Sequence, residues 1–191
     1  MGQHVVSPIC TPSRYNCLTG KYASRATNSF FLETTKKNED QTVVSFNTHI
    51  TSSDANLQKY LRAFGYTTGM TGKNHVVEVL GLQKFKSYEE SARNPDNIKT
   101  LKFNQSIVKK AMENSGFDFV GNVYHNNPDF LGLHEVAVQN MDWITQGGID
   151  FLNKKSRESP SFSILQLPFP TNLLMNIDLG MQIHSSQRKG I

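Results

Sequence analysis

Apolar and polar positions alternate in two registers along the chain, and the registers mark out its elements. Leu57, Tyr60, Leu61 and Phe64 fall at i, i+3, i+4 and i+7, a helical stripe. Residues 52–54 are placed to cap that helix and Gly65 to close it. Tyr66 to Thr71 then reads as a buried strand entering a turn at Gly72-Lys73-Asn74-His75. Further on, 106–114 predicts a short helix, 117–123 a strand, 136–153 a helix and 162–167 a strand before Pro168 and Pro170. In the 136–153 helix, Gly147 and Gly148 should each cost about 1 kcal/mol relative to Ala, while Trp143, Ile144 and Phe151 read as core. Near the start, Val5-Val6 looks like a strand end. A helix follows, with Thr11 as N-cap, Pro12 at N1 and Gly20 as its stop. The polar stretch 26–41 lacks periodicity and reads as a surface excursion, with a short strand at 42–46. Helices alternating with strands predict an α/β domain, a mostly parallel sheet flanked by helices.

Composition narrows the function classes. Hydrophobic residues make up 37% of the 191-residue chain and charged residues 19%, enough for a packed core and too weakly charged for a disordered chain. The net charge of +4 is dispersed over separate lysine pairs, so no nucleic-acid footprint forms. Apolar runs are only a few residues long, so no membrane span is expected. The opening residues lack the basic and apolar regions of a secretory signal. On one helix face Cys10 and Cys17 would lie about 10 Å apart along the axis, beyond disulfide reach.

Cys10 immediately before a helix start faces unpaired N–H groups and the positive end of the helix dipole, a place that binds anions. Arg14, about one turn on, adds a planar cationic fork. On the residues alone, an anion site with a reactive thiol and an ordinary buried cysteine stand level. Lys73 by itself suits a solvated turn, and His75 a loop histidine satisfied by backbone. His49, His125, His134, His4 and His184 show no ligand spacing and are expected in surface or capping roles.

Cys10-Thr11-Pro12-Ser13-Arg14 followed by Leu18-Thr19-Gly20-Lys21 resembles the signature of the formylglycine-dependent sulfatases, with Lys21 where Arg is usual. Phe64-Gly65-Tyr66-Thr67-Thr68 and Gly72-Lys73-Asn74-His75 resemble that family's strand and following Gly-Lys-Trp-His element, with Asn74 in the Trp position. The resemblance implies an alkaline-phosphatase-like α/β fold, incomplete at both ends, with residues 1–191 forming an internal portion of the N-terminal catalytic domain and no second domain. It implies sulfuric ester hydrolysis through a formylglycine made from Cys10 by a formylglycine-generating enzyme. Cys10, Pro12, Ser13, Arg14, Leu18, Thr19 and Gly20 would form the maturation motif.

By the same resemblance, the hydrated aldehyde at Cys10 attacks sulfur and binds Ca2+, Arg14 and Lys73 hold the sulfate ester, and His75 takes the proton whose loss expels sulfate. The family suggests a periplasmic, lysosomal or extracellular location and leaves the particular ester open. The sequence departs from the family in three places. Nothing before Cys10 supplies the usual acidic metal ligands, Thr171 stands where a histidine follows the last strand, and Asn176-Ile177-Asp178 is a poor substitute for the later metal pair. The isolated chain is therefore expected not to turn over sulfate esters at a family-like rate. Two alternatives share the residues: a phosphonate or phosphate monoester hydrolase of the same superfamily, and a non-catalytic anion-binding relic in which Cys10 stays a thiol.

Overall fold

The computed structural model describes residues 7–154 and 160–166. Val5-Val6, Thr171 and Asn176–Asp178 lie outside the described residues, as does the last residue of the 162–167 strand.

Three parallel strands form the sheet in the order β2-β1-β3: β1 Thr67–Lys73, β2 Phe119–Tyr124 and β3 Ser161–Gln166. The α/β class with a parallel sheet is thus observed. The central strand is unusual in composition, Thr-Thr-Gly-Met-Thr-Gly-Lys, yet it is buried from Thr68 to Lys73. Its polarity is absorbed locally. Thr68 Oγ1 donates to the Gly116 carbonyl at 3.1 Å, and Asp118 Oδ2 accepts from the Thr68 N–H at 2.9 Å.

Alternate residues of β1 serve two faces. Met70 packs into one core with Val108, Met112, Val120, Phe162 and Ile164. This core joins the sheet to α4 (Pro95–Asn114) and to α1 (Cys10–Thr19), which adds Tyr15 and Leu18. On the opposite face lies α5 (Met141–Lys154), and here the glycines act as spacers. A Cβ on Gly147 would stand 2.9 Å from the Asn122 backbone nitrogen, and one on Gly69 would stand 2.6 Å from the Phe151 ring. Gly147 therefore lets the helix backbone approach the sheet backbone closely, a contact that offsets the helix-propensity cost read from sequence. The register between β1 and β2 slips by one residue between Met70↔Val120 and Gly72↔Val123, leaving an extra residue in β2 beside that contact.

Several expected boundaries move, each for a local reason. The first helix begins at Cys10 with Ile9 as N-cap, so Cys10 is its first residue and Thr11 is not the cap. Pro12 still fits, because Ser13 is the first residue to donate back, to the Ile9 carbonyl at 3.1 Å. The stop at Gly20 is as expected, in the left-handed region at φ 67°.

The 26–41 excursion contains a helix, α2 (Ser29–Lys37), in which only Phe31 is buried. Residues 42–46 are irregular instead of a strand. Helix α3 spans Leu57–Ala63 and is capped by Asn56, whose side chain accepts from the Lys59 N–H at 3.0 Å. Asp54 instead turns back to accept from the Thr51 N–H at 2.8 Å. Leu57 and Leu61 pack on the core, whereas Tyr60 and Phe64 stay exposed and pair with each other. The short helix expected at 106–114 is the end of the 20-residue α4, whose start carries Asn94 as cap, Pro95 at its first position and Asp96 in its first turn. Single 3-10 turns at Pro128–Leu131 and His134–Val136 occupy the segment before α5, which the sequence assigns in part to that helix.

Among the described residues, no helix is long and apolar enough to cross a membrane. Cys10 and Cys17 are both free.

Candidate functional site

Parallel sheets place their ligand sites beyond the carboxyl ends of the strands. The carboxyl end of β1 is Lys73, and the chain there enters Asn74 and His75. Asn74 is 1% exposed, and its side chain closes the turn: Nδ2 donates to the Val77 carbonyl at 2.8 Å and Oδ1 accepts from the Val77 N–H at 2.9 Å. That clamp, with the Asn74 N–H bonded to the Tyr124 carbonyl and the His75 N–H to the His125 carbonyl, holds His75 at φ 50°. A side-chain-bearing residue in the left-handed region is strained, which fits a ring that has to be aimed.

His75 is aimed at the start of α1. Its Nδ1 lies 3.0 Å from Cys10 Sγ and 3.4 Å from Thr11 Oγ1. Lys73, itself 5% exposed, donates from Nζ to Cys10 Sγ at 3.8 Å. Arg14 Nη1 donates to the Lys73 carbonyl at 3.0 Å, locking the first helical turn to the strand end. Cys10, Arg14, Lys73 and His75, taken from two sequence elements, thus converge on one point. The remaining motif residues are structural here: Pro12 and Leu18 are buried, Thr19 Oγ1 donates to the Tyr15 carbonyl at 2.6 Å, and Gly20 ends the helix. Ser13 sits half-buried on the same turn.

The electrostatics follow from two cations in a confined place. Burial, with the Cys10 thiol acting against it, lowers the Lys73 pKa below the ordinary lysine value, and burial lowers that of Arg14 as well. For His75, burial first and then Lys73, Arg14, His49 and His125 in turn push the pKa down from 6.5 to about 3. The ring is therefore neutral over the ordinary pH range and can accept a proton or a hydrogen bond. Neutral His75, two cations and the N–H donors at the start of α1 together surround the Cys10 sulfur with groups that favour negative charge.

Sequence reasoning misses the surroundings of this centre. His49 and His125, expected in surface or capping roles, flank His75, and burial lowers the pKa of both. Phe46, 56% exposed, packs its ring 5.5 Å from that of His75, and Phe30 stacks on His49 at 6.5 Å. Asn28 holds this aromatic rim in place, donating to the Asn47 carbonyl at 2.9 Å and accepting from the His49 N–H at 3.0 Å.

Calcium does not suit these residues. A hard divalent cation takes six to eight oxygen ligands, several of them carboxylates. The side chains around Cys10 are a lysine, an arginine, a histidine and a threonine. Among the described residues, no group of three or more His, Cys, Asp or Glu could hold a metal ion. No protein-family profile matches the chain, and no curated protein is significantly similar to it.

Proposed function

We propose that the Cys10 centre binds the oxyanion of a sulfate ester and, with Cys10 converted to formylglycine, belongs to a sulfuric ester hydrolase of the alkaline-phosphatase-like class. The observation that carries this reading is the convergence of Cys10 with Lys73 and His75, 63 and 65 residues away, on a helix start tied down by Arg14.

Each residue has a task that its position supports. Lys73 and Arg14 supply fixed positive charge to an ester whose oxygens carry negative charge, in a setting where burial strengthens the attraction. His75 is neutral and within reach of the Cys10 side chain, so it is the proton acceptor. An anion bound between the cations offsets their repulsion of imidazolium and raises the basicity of His75 when the proton has to move. Formylglycine supplies a hydroxyl nucleophile with an internal route for releasing the sulfated intermediate. A phosphate or phosphonate monoester presents the same tetrahedral oxyanion and is distinguished only by rate. The lack of carboxylates near Cys10 among the described residues favours a second reading, an anion-binding protein in which the thiol is retained.

The test is co-expression of the chain with a formylglycine-generating enzyme, followed by mass spectrometry and hydrazide labelling of the peptide that contains Cys10. An aldehyde at Cys10, absent from Cys10→Ala, supports the hydrolase reading. A plain thiol under those conditions overturns it and leaves the anion-binding protein.

A further inference from the structure

Next to the Cys10 centre, beyond the carboxyl end of β2, is a cavity of about 360 Å³. Its walls come from α4 (Leu101 and Val108), from the end of β2 (Val123 and Tyr124), from the segment leading into α5 (Val138) and from the first turn of α5 (Trp143). Tyr124 and Trp143 lie with ring centroids 5.0 Å apart and planes tilted by 54°, giving one wall two aromatic rings.

The cavity and the centre share His125. It lines the cavity, its carbonyl accepts the His75 N–H at 3.2 Å, and its ring contributes to the field at His75. The cavity and the Cys10 centre therefore meet at His125.

The lining selects the chemistry of the cavity's occupant. Three of its polar side chains are already engaged, leaving Lys102, Gln105 and His125 among a lining that is otherwise mainly Leu, Val and aromatic. Asn104 exchanges two hydrogen bonds with the Gln83 backbone at 2.8 and 2.9 Å, Glu135 accepts from the Ala92 N–H at 2.9 Å, and Asn140 accepts from the Trp143 N–H at 2.9 Å. The His125 ring has no hydrogen-bond partner among the described residues. A polyhydroxylated sugar entering here would lose hydration at several hydroxyls and, against walls formed largely by Leu101, Val108, Val123, Leu131, Val136 and Val138, recover only part of those bonds. An apolar ring with a single oxygen loses little and gains contact with the two aromatic rings. On size, a cavity of about 150 Å³ can hold benzene, so this one has room for one or two rings.

Resting on the reading of Cys10 as the ester-cleaving centre, we infer that this cavity holds the alcohol portion of the ester, and that this alcohol is a largely apolar molecule of one or two rings whose oxygen lies beside His125. Hydrolysis converts R–O–SO3⁻ and water into ROH and hydrogen sulfate, so the free alcohol is a product and binds the same cavity without any modification of Cys10.

Trp143 is the only tryptophan of the chain, so its indole N–H gives a single NMR signal that reports on the cavity directly. The full chain, unmodified, is titrated with p-cresol and separately with glucose. The expected result is a saturable shift of that signal with p-cresol and none with glucose. In Val138→Phe, a substitution at a lining residue that is 60% exposed and so tolerant of change, p-cresol binds at least tenfold more weakly. The same variant still binds inorganic sulfate as the unsubstituted chain does. A p-cresol response that fails to saturate, or that survives Val138→Phe unchanged, overturns the inference. Saturable p-cresol binding in a chain whose Cys10 never becomes an aldehyde removes the hydrolase reading and leaves an apolar-ring site. An aldehyde at Cys10 with no p-cresol binding removes the cavity assignment alone.

Discussion

The Cys10 sulfur lies 3.0 Å from Nδ1 of His75 although 65 residues separate them in the chain. The approach depends on His75 keeping a strained backbone and a neutral ring, and each condition gives an expectation that can be measured.

Stability should fall as the solution is acidified. His75 titrates at about 3 in the folded chain against 6.5 when unperturbed, so between these values the unfolded chain binds a proton that the folded chain does not. Stability is then fully present above pH 6.5 and is lost progressively towards pH 3. Burial lowers the His49 and His125 pKa values too, so both act in the same direction. Urea unfolding at a series of pH values should give a shallower decline for His75→Gln than for the unsubstituted chain. Equal slopes would show that His75 is not held neutral.

Asn74→Ala should destabilise the fold by about 2 kcal/mol, because it removes both side-chain hydrogen bonds to Val77 from a fully buried turn. Asn74→Trp, the residue usual in the resembling sulfatase element, should be worse, since the position is 1% exposed and its neighbours would have to move. Chemical denaturation of the two variants orders them.

Replacing Lys73 separates function from stability. Lys73 is 5% exposed and its contact with sulfur is long at 3.8 Å, so Lys73→Met should leave the midpoint of thermal unfolding unchanged or raised. Inorganic sulfate, measured by calorimetric titration, should bind at least tenfold more weakly to the variant. Unaltered sulfate affinity would take Lys73 out of the anion site.

Gly147→Ala tests the helix–sheet approach. Helix propensity alone favours the alanine by about 1 kcal/mol. Its methyl would meet the Asn122 nitrogen at 2.9 Å, a contact that overpacks the interface and costs about 1–3 kcal/mol. Net destabilisation in urea is expected, and a stabilised variant would mean that α5 can move away freely.

The sequence is legible where local chemistry decides the outcome. Gly20 ends α1 because only a residue tolerant of positive φ fits, and Tyr66 to Thr71 is read as a strand because its flanking turns are marked. The pairing of Cys10 and Arg14 with Lys73 and His75 comes from motif order, since nothing in periodicity brings residues so distant together. Helix α2, in which only Phe31 is buried, is missed, and the first half of α4 is missed because its opening signal, Asn94-Pro95-Asp96, lies ahead of a polar run. His49 and His125 escape notice because a solitary histidine carries no spacing, and only the fold sets them beside His75.

The buried state of Pro12 and Leu18 bears on timing. A catalyst that recognises Cys10 through its downstream neighbours needs those side chains in the open, and the docked helix withholds them. Under the proposed function, conversion of Cys10 by such a catalyst would have to be finished while the segment is still unfolded, and a chain that folds too quickly would keep its thiol.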